Sequence, residues 1–268
     1  MGLLFDGVDD RVNNAATSGL PSGAPMTMCC VLRVTDLAND QALIQCGDDG
    51  VDPNYGWYLV NTSGVPRIYC GGATADGATA VSTGAWIFLG ISSATTASHR
   101  YFCYNYETRA VVFNETSTTD VGGVFAGTGG GTAQLGAYNS SGAYSAFLKS
   151  ELAWLALYTN DWTIDTGSAF QAIAFLGPYA IAAPRIYFDF NESSGTAARE
   201  RIVNNTWTLT NFPASPWRAV NLPGPWWTRS AHRVIRPQAV ATATDPGLLH
   251  YNAPGNQLTP HYPRAVPF

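Results

Sequence analysis

The feature that most constrains this chain is a succession of short segments in which apolar residues alternate, each closed by turn-forming residues. Within residues 27–34, Met28, Cys30, Leu32 and Val34 fall on one side, and Thr27, Cys29, Val31 and Arg33 on the other. A period of two belongs to a pleated strand, whose successive side chains point to opposite faces. Residues 41–46 repeat the pattern, with Ala42, Ile44 and Cys46 set against Gln41, Leu43 and Gln45. Residues 55–61 and 65–70 read as a hairpin around Thr62-Ser63-Gly64. Residues 86–91 are apolar throughout, as expected of a strand buried on both faces. Further strands are expected within 99–106, 109–114, 133–138, 147–158 and 185–190, and a last one at Trp207 and Leu209. One helix is expected over 166–176, capped by Asp165 or Thr166 and stopped by Gly177-Pro178. Its apolar face would be Phe170, Ile173 and Ala174. About twelve short strands with turns between them and a single helix predict an all-β fold, a two-sheet antiparallel β-sandwich.

Composition narrows the classes of function. Apolar residues make up 46% of the chain, enough for a sizeable core, while charged residues are only 12%. A net charge of −5 without a basic cluster argues against a nucleic-acid partner. No run approaches eighteen apolar residues, so no membrane span is expected. The first residues run straight into a strand, so no secretory leader is expected and synthesis would be cytoplasmic. The five cysteines are odd in number and lack metal-type spacing. They are expected to be reduced and mostly buried, with neighbours Cys29 and Cys30 pointing to opposite faces of one strand.

Candidate chemistry is sparse. In Leu3-Leu4-Phe5-Asp6-Gly7-Val8-Asp9-Asp10-Arg11-Val12, apolar pieces flank an Asp-Gly turn signal and three acids crowd into five residues. Carboxylates at such a corner accept bonds from turn N–H groups, so Asp6, Asp9 and Asp10 are read as fixing the turn. The densest acidic loop holds Asp48, Asp49 and Asp52; its acids are read as turn formers, with a rim calcium ion as the alternative. Glycoside cleavage needs two carboxyl groups about 5–9 Å apart. None of the five glutamates (Glu107, Glu115, Glu151, Glu192, Glu200) shows a suitable spacing. No GxSxG elbow accompanies the four histidines, and His99 reads as a strand-end residue. No catalytic, cofactor-binding or metal-ligating residue is therefore expected. Tyr55, Trp57, Tyr138 and Tyr144, in or near loops, are candidate sugar platforms.

From Pro213 the composition changes. The last 56 residues hold ten of the sixteen prolines and little periodicity. Proline removes ladder donors and favours extended backbone. The expected organisation is a sandwich over 1–212 and an extended Pro-rich C-terminal arm over 213–268. Large rings in the arm need a surface to lie on, a neighbouring subunit by preference. Trp217, Trp226, Trp227, Tyr251, Tyr262 and Phe268 are its expected assembly contacts, in a homo-oligomer.

The opening residues 4–12 resemble the first motif of laminin G-like domains, in the concanavalin A-like lectin/glucanase superfamily. The likeness continues through residues 26–34, the Trp-led segment 84–89, Gln134-Leu135-Gly136, and residues 152–158 with the following helix. Ile186-Tyr187-Phe188-Asp189-Phe190 with Ser194-Gly195-Thr196 is similar to another motif of such domains. The chain departs from the pattern at Ser150, usually Gly, and at Trp154, often an acid. The resemblance implies a concanavalin A-like jelly roll that binds glycans or proteins, often with Ca²⁺ at the rim. Similar single-domain versions occur in structural proteins of tailed bacteriophages. The function this implies is a non-enzymatic virion protein, first of all capsid decoration or cement, assembled in the host cytoplasm. Its partners would be capsid or tail subunits, reached through the arm. The alternative is a tail- or fibre-associated lectin-like module that adsorbs to host surface glycans.

Overall fold

The computed structural model describes residues 1–220 apart from 15–22, 49–50, 61–62, 123–132, 141, 193 and 203, with backbone alone at 48 and 51–54. Strands are numbered in chain order. The first sheet runs, in spatial order, β10 (Ala110–Ser117), β9 (Ser98–Asn105), β8 (Trp86–Thr95), β3 (Met26–Val34), β14 (Ser150–Tyr158), β1 (Gly2–Leu4) and β18 (Trp217–Arg218). A short strand, β15 (Ile186–Phe188), also pairs with β14. The second sheet runs β16 (Ala197–Arg199), β17 (Thr206–Thr210), β2 (Arg11–Asn14), β11 (Ala133–Leu135), β4 (Gln41–Asp48), β5 (Val51–Leu59), β6 (Pro66–Cys70) and β7 (Ala73–Asp76). A separate hairpin of β12 (Tyr138–Ser140) and β13 (Ala143–Ser145) completes the set. This is the two-sheet antiparallel β-sandwich that the alternation predicts, arranged as the jelly roll that the resemblance implies.

The period of two explains the core. Leu3, Met28, Cys30, Leu32, Leu89 and Leu155 of the first sheet meet Ile44, Tyr55, Trp57 and Ile68 of the second, all shielded from water. One departure is instructive. Leu43, expected opposite Ile44, joins it in the core, because the ladder between β4 and β5 slips at Ala42/Ile44 and turns the strand. Strand β8 is buried on both faces, as its unbroken apolar run requires. Cys30 faces the inter-sheet core and Cys29 the outer side. All five cysteines are buried and none forms a disulfide. Burial pushes the Cys46 and Cys103 thiols up to about 12, so they act as small hydrophobes.

A second apolar layer lies on the outer face of the first sheet. Cys29, Val31, Phe88, Phe102, Trp154 and Tyr158 point there and are covered by α1 (Ser168–Leu176) through Phe170, Ile173 and Ala174. Phe170 stacks on Phe102, with centroids 5.6 Å apart and planes inclined 17°. Gly90 makes this seat: a Cβ there would lie 2.3 Å from the Phe170 ring. Asp165 caps the helix from upstream, accepting N–H bonds from Ser168 at 2.7 Å and Ala169 at 3.1 Å. Trp154, the departure from the family pattern, is thus a packing residue.

The sandwich extends beyond residue 212. Trp217 and Arg218 add a final edge strand antiparallel to β1, pairing Leu3 with Trp217 and Gly2 with Arg218. The Trp217 ring is buried in the inter-sheet core, and its Nε1 donates to the Gly195 carbonyl at 3.3 Å. Trp217, expected as an assembly contact, is therefore filled from within its own domain. Two residues of strand after Pro216 are too few to show a period. Trp226, Trp227, Tyr251, Tyr262 and Phe268 lie outside the described residues.

Candidate functional site

The outer face of the second sheet is built differently. Residues that alternate away from the core on β5, β6 and β7 fall into register: Tyr58 opposite Arg67 opposite Asp76, and Gly56 opposite Tyr69 opposite Thr74. The β12–β13 hairpin folds over the neighbouring strand β4 and adds Tyr138. A buried amide network holds it there. Gln134 Nε2 donates to Gln45 Oε1 at 2.8 Å, the Asn139 N–H donates to the same oxygen, and Gln45 Nε2 donates to the Asn139 carbonyl at 3.0 Å. Arg11 lies over the Tyr144 ring, 4.0 Å from its centroid, and ties the hairpin to β2.

Between sheet and hairpin lies a cavity of about 300 Å³, lined by Tyr58, Tyr69, Tyr138, Arg67, Asp40, Thr74, Ser145 and Ala146. Its three tyrosines pack edge to face in a triangle, with centroids 6.0, 6.0 and 5.8 Å apart. The Tyr69 and Tyr138 hydroxyls are 3.5 Å apart. Gly56 lets Tyr58 lie across the sheet, since a Cβ there would sit 2.8 Å from the Tyr58 ring and 2.9 Å from the Ile44 carbonyl. Arg67 is held bidentately by Asp76, Nε to Oδ1 at 2.6 Å and Nη2 to Oδ2 at 2.8 Å. Those bonds, opposed by partial burial, hold the guanidinium above its ordinary value. The segment leaving the hairpin passes through Ala146 at φ 49°, a left-handed conformation unusual for alanine, while its carbonyl accepts the Ala42 N–H at 2.8 Å.

Of the expected sugar platforms, Tyr138 lines this cavity and Tyr144 stands on the same hairpin. Tyr55 and Trp57 face the opposite way, into the core. Tyr58 and Tyr69, the two residues the sequence reading passed over, carry a signal that could have found them. They alternate out of phase with the core residues of the hairpin that contains them.

The remaining candidates fall elsewhere. His99 is the second residue of β9 and is buried. Its Nε2 faces two acceptors, the carbonyls of Thr96 at 3.1 Å and Thr119 at 3.0 Å, so the neutral ring carries its proton there. Nδ1 then accepts from Ser93 Oγ at 3.0 Å, and burial pulls the ring's pKa down. The opening acidic corner is a turn with Gly7 at φ 81°. Asp6 Oδ1 accepts the Val8 N–H at 2.8 Å, and Asp10 Oδ2 accepts the Asp6 N–H at 2.9 Å, as expected of turn-fixing acids. Burial first, and the Asp6 and Asp9 charges after it, push Asp10 up to about 6 against that N–H bond. The backbone of Asp48 ends β4. The side chains of Asp48 and Asp52, and Asp49 altogether, lie outside what the structure describes.

No protein-family model matches the sequence, and no curated protein matches it. Solved structures do resemble it. A protein of Bacteroides ovatus proposed to bind carbohydrate superposes with a TM-score of 0.53 at 11% identity, over 78% of this chain and 57% of its own. A heptameric SAP-like pentraxin of Limulus polyphemus gives 0.49 at 13% identity, over 78% of this chain and 95% of its own. The CBM40 of a Ruminococcus gnavus sialidase, bound to α2,3-sialyllactose, gives 0.45 at 15% identity, over 63% of this chain and 95% of its own. This chain thus spans little more than half of the first structure. The likeness is one of fold: the class defined is the two-sheet β-sandwich.

Proposed function

We propose that this protein is a non-enzymatic glycan-binding module whose site is the tyrosine-lined cavity on the outer face of the second sheet. The observation that carries the reading is the triangle of Tyr58, Tyr69 and Tyr138 around a cavity of about 300 Å³. That volume is at the lower end of ligand pockets and suits one or two sugar rings. Aromatic faces receive the C–H face of a pyranose, while Asp40, Thr74 and Ser145 offer hydrogen-bonding groups for its hydroxyls. Because Asp76 engages Arg67 bidentately and Asp40 adds a negative charge, the site favours neutral over acidic sugars. Asp40 is the one carboxylate among the lining residues, whereas bond cleavage needs a pair. The finding that a protein of this fold is proposed to bind carbohydrate supports the same reading.

The test is a glycan array followed by calorimetry on the strongest neutral ligand, with Tyr69→Ala and Tyr138→Ala beside the parent protein. Saturable binding lost in both variants is expected. An array without signal, or binding indifferent to both substitutions, would sink the idea.

Attachment to a virion through the C-terminal residues is a separate proposal, resting on the proline- and tryptophan-rich composition of 221–268. Its test is truncation after Val220 rather than after Phe212, since the earlier cut would remove β18 and the buried Trp217. Loss of association by a folded truncated protein supports it, and unchanged association counts against it.

A further inference from the structure

The corner between β1 and β2 carries the first crossing of the chain from one sheet to the other. There Asp6, Asp9 and Asp10 bring one carboxylate oxygen each within 4.8 Å of the others. Among the described residues no Lys, Arg or His forms an ion pair with any of the three. A crowd of acids is common on protein surfaces and by itself marks nothing.

A second observation separates this one. Asp10 is wholly buried, at 0% exposure. Its Oδ2 is taken by the Asp6 N–H, but Oδ1 is buried without any hydrogen-bond partner. An orphaned carboxylate oxygen in the interior is among the costlier polar groups to leave unsatisfied. Turn fixation explains Oδ2 and leaves Oδ1 unexplained. The Asp6 and Asp9 carboxylates beside it make the position worse.

We propose that Asp6, Asp9 and Asp10 form a binding site for a hard divalent cation of the Ca²⁺ type. The dimensions fit. Calcium takes oxygen ligands at about 2.3–2.6 Å, so two ligands of one ion lie up to about 5 Å apart, and the acids fall within that span. Asp6 and Asp9 reach solvent and give the ion a path in, while the buried Asp10 supplies the inner oxygen. The cation would fasten the inter-sheet corner directly after Phe5, whose ring is buried in the core against Gly136. Its role is structural, and it is independent of the tyrosine site.

The experiment uses the full chain, stripped with EDTA, with CaCl₂ as the probe at pH 7.5. One bound Ca²⁺ per chain by calorimetry is expected, with a Tm higher by about 5 °C at a hundredfold excess over Kd. Asp10→Asn should remove both effects, but it also alters the turn. Asp9→Asn is therefore the decisive variant, because among the described residues the turn uses the Asp9 carbonyl, which accepts from Arg11 and Asn211, and not its carboxylate. It should keep the EDTA-state Tm and weaken Ca²⁺ binding at least tenfold. Absence of binding at millimolar Ca²⁺ would overturn the proposal. Binding unchanged in Asp9→Asn would do so equally, since the ion would then sit elsewhere, such as the loop of Asp48, Asp49 and Asp52.

Discussion

On the outer face of the first sheet, Phe88, Phe102, Trp154 and Tyr158 are sealed beneath α1. On the outer face of the second, Tyr58, Tyr69 and Tyr138 stand around a cavity with Arg67 and Asp40 among them. Both faces are rich in rings, and both owe a critical seat to a glycine, Gly90 under Phe170 and Gly56 under Tyr58. They differ in what stands over the rings. A helix with an apolar face turns one set into a second core. A short polar hairpin on an amide network leaves the other set around a cavity, with Tyr58 buried and Tyr69 and Tyr138 half-buried. Aromatic content alone therefore does not mark a binding face; the partner layer decides whether a ring stabilises or recognises.

The comparison can be broken most forcefully at Phe170. Replacing it with Ala on the sealed face should cost about 3–5 kcal/mol by chemical denaturation. The fraction that remains folded should bind its glycan as before. Tyr69→Ala, on the open face, should invert that result. Unfolding free energy should change little, while glycan affinity falls about thirtyfold, equivalent to ~2 kcal/mol. If instead Tyr69→Ala proved as destabilising as Phe170→Ala, the open face would be a core as well. Gly56→Ala sharpens the contrast, because its Cβ would strike the Tyr58 ring without removing any side chain. A loss of about 1–2 kcal/mol in stability is expected, with a several-fold loss of affinity.

The smallest expected effect concerns pH. His99, on the sealed sheet, has a folded-state pKa below its ordinary 6.5 because of burial. The unfolded chain thus takes up a proton, as pH falls through 6.5, before the folded protein does. The stability His99 confers is present above 6.5 and declines as pH drops toward the folded value. Asp10, raised to about 6, contributes in the opposite sense, being more favourable at low pH. The His99 share is therefore read as the difference between the parent and His99→Gln across pH 5–8, and equal slopes would refute it.

How much of this was legible in the sequence follows from where the physics is local. Strict alternation within 27–34 gave β3 and both of its faces, and Phe170, Ile173 and Ala174 gave the buried side of the helix. Leu43 was misplaced because a bulge belongs to a pair of strands and leaves no trace in one. The strand expected over 133–138 gives way to a hairpin, in which residues 138–140 pair with 143–145 and depend on Gln45 and Gln134 from other strands. Strand β7 was hidden in a run of small residues that shows no alternation; the ladder to β6 and the Tyr101 hydroxyl, which donates to the Ala75 carbonyl at 2.8 Å, hold it. The site escaped notice because Tyr55 and Tyr58 differ only in phase. Three residues apart on β5, they fall on opposite faces, Tyr55 in the core and Tyr58 beside Arg67 at the cavity.

The pairing of β1 bears on how the molecule is made. Leu3 finds its ladder partners in Leu152 of β14 and Trp217 of β18, both far along the chain. β1 thus precedes both of its partners in the chain and is among the last strands to be hydrogen-bonded. Until residue 218 is available, β1 carries one open edge and Leu3 lacks the indole beside it. Such distant pairings make folding slow and leave exposed strand edges vulnerable to association with other chains. The closing strand, only two residues long, is what covers that edge of β1.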